Sequence, residues 1–217
     1  MERKANIIYY TCNTHLEEIE QACRKQLQLA ADAAGIPIIS VSLNKVIDFG
    51  DKRITIEGQR SPKMMHEQIL AGLMASEADY VYLCESDVLY HPSHFDFVPM
   101  EKDVYYYNTN VWKVKYKENL AVWTDNLRQV SGLCADKALL LNFYNKRVAE
   151  ISSKGFDRRY EPRDKRVENY MSQEPNVCIR HDENLTASKW SPNDFRNKRF
   201  AKGWKEAEIP SWAKGLI

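Results

Sequence analysis

The chain has 217 residues, of which 44% are hydrophobic and 28% are charged, a balance that is typical of a globular protein and excludes a disordered or low-complexity one. Its 31 Lys and Arg against 30 Asp and Glu give a formal net charge of +1, which argues against a non-specific nucleic-acid binder. The longest apolar runs fall well short of a membrane-spanning length, so we expect no membrane insertion. The short apolar run near the N-terminus does not resemble a signal peptide, which predicts a cytoplasmic protein, in the host cytoplasm if it is phage-encoded.

The first half of the sequence alternates between strand and helix patterns. Runs of β-branched and aromatic residues predict buried strands, and apolar residues at spacings of three and four predict helices. The strands cover residues 6–12, 36–43 and 80–84, and the helices cover residues 15–34 and a segment that begins at the Ser61-Pro62 cap. Residues 44–60 indicate a surface excursion. This alternation predicts right-handed βαβ units on a parallel sheet.

The second half is less regular and more basic. Strand-like runs and one helical pattern occupy residues 103–117, 119–123, 137–151 and 176–180. From residue 146 onward the chain carries 16 basic and 11 acidic residues, a net charge of +5, so the remainder is net acidic. We therefore expect a single α/β domain over residues 1–217, with a Rossmann-type, mostly parallel sheet flanked by helices and a basic C-terminal lobe.

Two carboxylates follow the third predicted strand, in the triplet Glu85-Ser86-Asp87. Ligands of open α/β sheets bind beyond the carboxyl ends of the strands, which is where this triplet falls. Because neighbouring carboxylates repel each other, a divalent cation such as Mg²⁺ or Mn²⁺ would stabilise the pair. A solvated strand end also explains such a triplet, and since the pattern occurs often by chance, the spacing alone favours that interpretation over a metal site.

The stretch SPKMMHEQILAGLMASEADYVYLCESDVLYHPSHF, residues 61–95, resembles the central segment of GT-A-fold glycosyltransferases, especially the family 2-like group. In that family a helix leads into a hydrophobic strand that ends in a D-x-D motif, and a proline-bearing segment follows. Here the motif corresponds to Glu85-Ser86-Asp87 and the proline to Pro92. The resemblance covers residues 6 to 100. It implies a GT-A-like fold and transfer of a sugar from a nucleotide-sugar donor.

The resemblance also implies roles for individual residues. Asp87 would ligate a Mn²⁺ or Mg²⁺ ion that holds the donor diphosphate, and Glu85 would reach the ion through water or contact the donor. Thr11 and Asn13 would contact the nucleoside. Residues 1–100 would form the nucleotide-sugar-binding half, and residues 101–217 the acceptor-binding half and C-terminal lobe. The sequence departs from the family by the Glu at position 85 and by the absence of an Asp after the second strand, so UDP is only the first choice of nucleotide.

Family members often complete the metal site with a C-terminal histidine, and His181 is the candidate here because it directly follows a predicted strand. His91 and His94 compete from the loop that follows the triplet. We place His15 in the first turn of the first helix and His66 on an exposed helical face.

An inverting transferase needs a carboxylate base beside the acceptor hydroxyl. The available positions are Asp125, Asp164, Glu168, Asp182 and Glu183, of which Asp125 and Glu168 are the two choices. A retaining enzyme would not need this base.

The acceptor is either a saccharide or glycan, or a hydroxymethylated base in DNA of the kind some phages glycosylate. Basic clusters of the C-terminal lobe would serve as a lid over the donor or contact an anionic acceptor. They comprise Arg158, Arg159, Arg163, Lys165 and Arg166, and Arg196, Lys198, Arg199, Lys202 and Lys205. The alternative functions are a nucleotidyltransferase and a non-catalytic nucleotide-binding module with the same fold.

Overall fold

The computed structural model describes residues 3–125, 127–155, 161–182, 184 and 186–216. Within these ranges the chain forms three α-helices, α1 (Glu17–Ala34), α2 (Pro62–Ala75) and α3 (Lys137–Lys154). The strands are β1 (Ala5–Thr11), β2 (Ile38–Leu43), β3 (Lys52–Ile56), β4 (Tyr80–Glu85), β5 (Val88–Leu89), β6 (Val104–Asn108), β7 (Val111–Lys115), β8 (Ala121–Trp123), β9 (Leu133–Asp136), β10 (Arg166–Tyr170), β11 (Asn176–Arg180) and β12 (Lys205–Ala207).

Seven strands form the central sheet, in the order β10-β6-β9-β4-β1-β2-β3. The pairs β3–β2, β2–β1, β1–β4 and β6–β10 are parallel, whereas β9 is antiparallel to both of its neighbours. The predicted mostly parallel α/β sheet flanked by helices is therefore confirmed.

Strand β1 shows how the sheet separates two hydrophobic cores. Successive side chains of a strand point to opposite faces, so a strand covered on both faces is apolar throughout. Ile7 and Tyr9 pack into the core that contains Leu27 of α1. Ile8 and Tyr10 pack into the core that contains residues of α2 and α3 on the opposite face. Because β1 is buried from both sides, its carboxyl end is held rigidly where a ligand would bind.

The helix boundaries follow the predicted capping residues. The Ser61 side chain accepts a hydrogen bond from the backbone N–H of Met64 at 3.1 Å, and Pro62 occupies the first turn of α2. Helix α1 ends at Gly35, whose φ of 65° is left-handed and favours glycine. Both caps confirm the prediction from sequence.

A second sheet has the order β12-β8-β7-β11-β5, and its apolar residues share a core with Ile19 and Cys23 of α1. Its edge strand β5 begins directly after Asp87, and the Asp87 carbonyl oxygen accepts a hydrogen bond from the backbone N–H of Ile179 in β11 at 2.8 Å. This contact brings the C-terminal part of the chain against the acidic triplet at the end of β4.

Several elements differ from the prediction. Residues 44–60 contain the edge strand β3, and residues 103–117 divide into β6 and β7, which belong to different sheets. The division falls at Asn108, Thr109 and Asn110, three buried polar residues. The short or exposed strands β5, β9, β10 and β12 were not predicted, because charged or brief strands lack the apolar alternation on which such a prediction depends.

No helix in the described part of the chain combines the length and the apolar character needed to cross a membrane.

Candidate functional site

A cleft opens at the carboxyl ends of β1 and β4, with a volume of about 170 Å³. We call it the main cleft. Its lining includes Thr11, His15, Arg60, Glu85, Asp87 and Arg180. The acidic triplet therefore faces a cavity at the sheet edge where ligands of parallel α/β sheets bind.

Glu85 is the last residue of β4, and two tyrosines hold it. The Tyr10 hydroxyl donates a hydrogen bond to Glu85 Oε1 at 2.7 Å, and the Tyr90 hydroxyl oxygen accepts one from the Glu85 backbone N–H at 2.9 Å. Burial, together with the nearby Asp87 charge, raises the pKa of the Glu85 carboxyl to about 7. Two carboxyl groups thus share an environment that disfavours their joint ionisation unless a cation is present.

Asp87 is buried, with 6% of its surface exposed. Burial raises the pKa of its carboxyl, and the positive Arg180 guanidinium and His181 oppose that shift. The side-chain amide of Asn184 donates a hydrogen bond to Asp87 Oδ2 at 2.6 Å. A buried carboxylate is costly without such partners, and the arrangement leaves the other lone pairs of Asp87 for further contacts.

His15, Asp87 and His181 form a cluster whose potential ligand atoms all lie within 4.8 Å of one another. His181 Nε2 lies 3.9 Å from Asp87 Oδ2, and the rings of His15 and His181 meet edge to face with centroids 4.5 Å apart. Two donors that each lie about 2.1 Å from one ion are separated by no more than about 4 Å, so this spacing fits a shared metal ion after small side-chain movements. A set of two imidazoles and one carboxylate suits a transition-metal ion such as Mn²⁺ better than Mg²⁺, which prefers oxygen ligands.

The cluster combines a predicted pair with a residue that sequence reasoning missed. Asp87 and His181 were predicted as ligands, and the fold places them side by side. His15 lies two residues before α1 begins and not in its first turn, which corrects the prediction and leaves its ring at the cleft. Its position just after β1 was the available signal, because β1 and β4 end at the same edge of the sheet. Glu85, the other predicted ligand, lines the cleft outside this three-residue cluster.

The predicted nucleoside contacts occupy the end of β1. Thr11 lines the main cleft, and its hydroxyl oxygen accepts a hydrogen bond from the Asn13 backbone N–H at 3.0 Å. Asn13 adopts a left-handed φ of 55°, and its side-chain amide donates to the carbonyl of Leu43 at 2.7 Å. Asn13 thereby ties the end of β1 to the end of β2.

The two residues predicted as the catalytic base, Asp125 and Glu168, lie outside the main cleft. Asp125 follows β8 and packs against Gly203, and neither it nor Glu168 lines the main cleft. Glu168 is exposed on the edge strand β10, where its carboxylate pairs with Arg166 at 3.2 Å. Besides Glu85 and Asp87, the main cleft is lined by the carboxylate of Glu161, which sequence reasoning did not select. Its Oε2 accepts a hydrogen bond from Arg163 at 2.9 Å.

The remaining acidic candidates take other positions. The Asp164 carboxylate accepts a hydrogen bond from the Tyr105 hydroxyl at 2.9 Å, and Asp182 is exposed beside His181. Glu183 lies outside the described residues, as do Arg158 and Arg159 of the first basic cluster.

His94 and His66 are buried in the protein interior and not in the main cleft. His94 is fully buried, and its Nδ1 lies 2.9 Å from the side-chain amide of Asn108. Burial lowers the pKa of its imidazole to about 3. His66 is likewise fully buried, beside Tyr144, which corrects the prediction of an exposed helical position. The apolar faces of α2 and α3 pack together there, so this side of α2 never meets solvent.

A second cleft, of about 320 Å³, adjoins the first. Its lining includes Arg128, Glu161, Arg163, Lys189, Phe195 and Arg199. Glu161 lines both clefts and so marks their junction.

No family model matches the sequence, and no curated protein matches it. Three solved structures show a distant likeness. A glycosyltransferase involved in glycosylation of the major capsid of PBCV-1 shares 8% identity over 81% of this chain and 93% of its own, with a TM-score of 0.48. A mutant Drosophila β-1,4-galactosyltransferase 7, in complex with manganese, UDP-Gal and xylobiose, shares 10% identity over 88% of this chain and 78% of its own, with a TM-score of 0.47. A nucleotidyl transferase from Methanothermobacter shares 10% identity over 65% of this chain and 76% of its own, with a TM-score of 0.42.

Proposed function

We propose that this protein is a metal-dependent glycosyltransferase of the GT-A type, which moves a sugar from a nucleoside-diphosphate sugar, with a UDP-sugar as the first choice, to an acceptor hydroxyl. The observation that carries the proposal is the cluster of His15, Asp87 and His181, of which His15 and Asp87 line the main cleft. The cluster lies at the carboxyl ends of parallel strands, and Glu85 stands beside it. Residues 1–100 would form the donor half and residues 101–217 the acceptor half.

The chain supplies two kinds of group for a donor diphosphate. His15, Asp87 and His181 would hold Mn²⁺, and such an ion neutralises diphosphate charge and stabilises the leaving group. Arg60 and Arg180 line the same cleft and add positive charge. Glu85, fixed by Tyr10, would accept hydrogen bonds from donor hydroxyls.

The transfer forms a bond between the acceptor oxygen and the anomeric carbon and breaks the bond from that carbon to the diphosphate oxygen. The electron pair of the broken bond leaves with the nucleoside diphosphate. In an inverting reaction the acceptor proton passes to a carboxylate, and Glu161 is the candidate because it lines the main cleft at its junction with the second cleft. Asp125 and Glu168 stay as competing predictions for this role.

The test is a thermal-shift measurement on the wild-type chain with UDP and a panel of UDP-sugars, with and without Mn²⁺. A ligand at a hundredfold excess over its Kd stabilises the fold by about 2.7 kcal/mol, which gives a measurable rise in Tm. We expect a rise that requires nucleotide and Mn²⁺ together. Equal Tm values in all four combinations of nucleotide and metal would refute the proposal.

A second measurement separates the proposed reaction from its alternatives. Slow release of UDP from a UDP-sugar in the presence of Mn²⁺ is expected, with water or an added glycan as acceptor. Release of pyrophosphate from a nucleoside triphosphate would instead indicate a nucleotidyltransferase. Nucleotide binding without turnover of any donor would indicate a non-catalytic module.

A further inference from the structure

The second cleft is cationic and is joined to the main cleft by one residue. Among the described residues, four of its lining side chains are basic, Arg128, Arg163, Lys189 and Arg199, and one, Glu161, is acidic. Arg163 donates to Glu161 at 2.9 Å, so one of the four cations is partly neutralised. The cleft as a whole thus favours an anionic ligand.

The remaining cations are held in place by neutral groups. Arg128 Nε donates a hydrogen bond to Asn169 Oδ1 at 2.8 Å. Lys189 Nζ lies 4.6 Å from the ring centroid of Phe195, and the Arg199 guanidinium lies 4.8 Å from that of Phe200. The contacts of Arg128 and Arg199 orient these side chains without cancelling their charge, whereas the charge of Lys189 also acts on the nearby Asp194 carboxylate.

The segment that forms one wall is both basic and aromatic. Residues 189–205 carry six Lys and Arg against one Asp, and four aromatic residues are interleaved with them. Phe200 is 37% exposed and lines the cleft. Cations that bind phosphates, alternating with aromatic faces that stack on bases, are the combination by which proteins bind single nucleic-acid strands.

We infer that the second cleft binds a single nucleic-acid strand and presents one of its nucleotides, as acceptor, to Glu161 at the junction of the two clefts. The role of the bound nucleotide as acceptor rests on the proposed glycosyltransferase function. The inference adds to that function the chemical class of its acceptor. An isolated phosphate would need one or two of these cations. Cations contributed by separate segments of the chain, beside an exposed aromatic ring, suit a chain of phosphates and bases.

The experiment measures binding of a fluorescein-labelled single-stranded DNA oligonucleotide of mixed sequence by fluorescence anisotropy over a range of salt concentrations. The test variant is Arg128→Gln/Arg199→Gln. The charge-matched control is Lys25→Gln/Lys146→Gln, because both lysines are exposed on helices α1 and α3. If both arginines contact phosphates, the test variant should bind about tenfold more weakly, and the slope of log K against log salt should fall by about 1.4. The control should match the wild type.

A third variant, Phe200→Ala, tests base stacking. It should weaken binding of the oligonucleotide more than binding of dextran sulfate, a polyanion without bases, which loses only the contact by which Phe200 orients Arg199. Equal loss for both polyanions would show that Phe200 acts only by orienting Arg199 and would overturn the assignment of a nucleic-acid strand. The same conclusion would follow if inorganic phosphate or a neutral glycan displaced the oligonucleotide at equimolar concentration.

The two hypotheses fail in distinguishable ways. Oligonucleotide affinity that is equal in the wild type, the test variant and the control would overturn the inference about the second cleft. Failure of UDP and Mn²⁺ to stabilise the wild-type chain would overturn the proposed function, whatever the oligonucleotide does.

Discussion

His181 Nε2 lies 3.9 Å from Asp87 Oδ2, although one residue follows β11 of the second sheet and the other follows β4 of the central sheet. Two further contacts join the same loops. Ile179 donates its backbone N–H to the Asp87 carbonyl oxygen, and Asn184 donates its side-chain amide to Asp87 Oδ2. The proposed metal site therefore combines residues from strand ends in both sheets, and the pairing of β5 with β11 holds Asp87 and His181 together.

The first prediction concerns Asp87→Asn. The substitution removes the one carboxylate of the metal cluster and keeps its shape, so the Mn²⁺-dependent rise in Tm with UDP should be lost. The fold itself should tolerate the change, because burial raises the pKa of this carboxyl and so already disfavours its charged form. Thermal shift with and without UDP and Mn²⁺ measures both effects.

The control for this prediction is Asp96→Asn, which changes an exposed aspartate in the segment that follows β5. It should respond to UDP and Mn²⁺ as the wild type does. An Asp87→Asn protein that keeps the full metal-dependent rise would show that Asp87 is not a metal ligand.

The second prediction concerns Glu161→Gln. If Glu161 is the base, the amide cannot accept the acceptor proton, and kcat should fall by about 10²- to 10⁴-fold. Donor binding should persist, because the metal cluster and the cleft arginines are untouched. Steady-state kinetics, with thermal shift by UDP and Mn²⁺ as the measure of donor binding, separates the two effects.

Glu168→Gln and Asp125→Asn are the comparison variants, since both residues are competing base candidates that do not line the main cleft. Each should keep kcat within a fewfold of the wild type. A large loss in either of them, with Glu161→Gln still active, would transfer the role to that residue.

The site was predictable where a residue follows an obvious strand. Glu85 is the last residue of the apolar strand β4 and Asp87 follows it, and His181 follows β11, whose five residues were predicted with the observed bounds. His15 was missed because it lies between a strand and a helix, where its position depends on the turn. Glu161 was missed because it lies in a charged segment without periodicity, and only the tertiary fold brings that segment to the cleft.

The same distinction explains the fold. Strands buried on both faces, such as β1, β2 and β4, carry continuous apolar runs and were predicted within two residues. Strand β10 has the sequence RVENY and is largely exposed at the sheet edge. The segment forms a strand because it hydrogen-bonds to β6, and its sequence carries no hydrophobic pattern that would predict one.

The third prediction concerns Gly72→Ala in α2. A Cβ atom at this position would lie 2.5 Å from Ile8 Cγ2 in β1, so the helix or the strand must move. Overpacking of this kind costs about 1–3 kcal/mol, which exceeds the gain of about 1 kcal/mol in helix propensity. Urea denaturation should show a net loss of stability. Met74→Ala, at a position of the same helix that is 71% exposed, should change stability little.

A double-mutant cycle identifies the cause of that loss. In an Ile8→Ala background the clashing methyl group is absent, so Gly72→Ala should no longer destabilise the protein. If the cost of Gly72→Ala is the same in both backgrounds, contact with Ile8 is not its origin.

The fourth prediction concerns the pH dependence of stability. Burial lowers the pKa of His94 to about 3, against about 6.5 in the unfolded chain. Between these values the unfolded chain binds a proton that the folded protein does not, so this histidine lowers stability by about 1.4 kcal/mol for each unit by which the pH falls below about 6.5. Above that pH it has no such effect.

The measurement compares wild type with His94→Gln by urea denaturation at about pH 7.5 and about pH 5. The comparison with the variant is needed because other groups also make stability depend on pH. The lowered pKa of His66 likewise reduces stability as the pH falls, whereas the raised pKa of Glu85 increases it. The variant loses the hydrogen bond from Asn108 and should be less stable at the higher pH. Its deficit should shrink by about 2 kcal/mol at the lower pH, where the wild type must exclude a proton from His94. If the free energy of unfolding changes equally between the two pH values in both proteins, folding does not lower the pKa of His94.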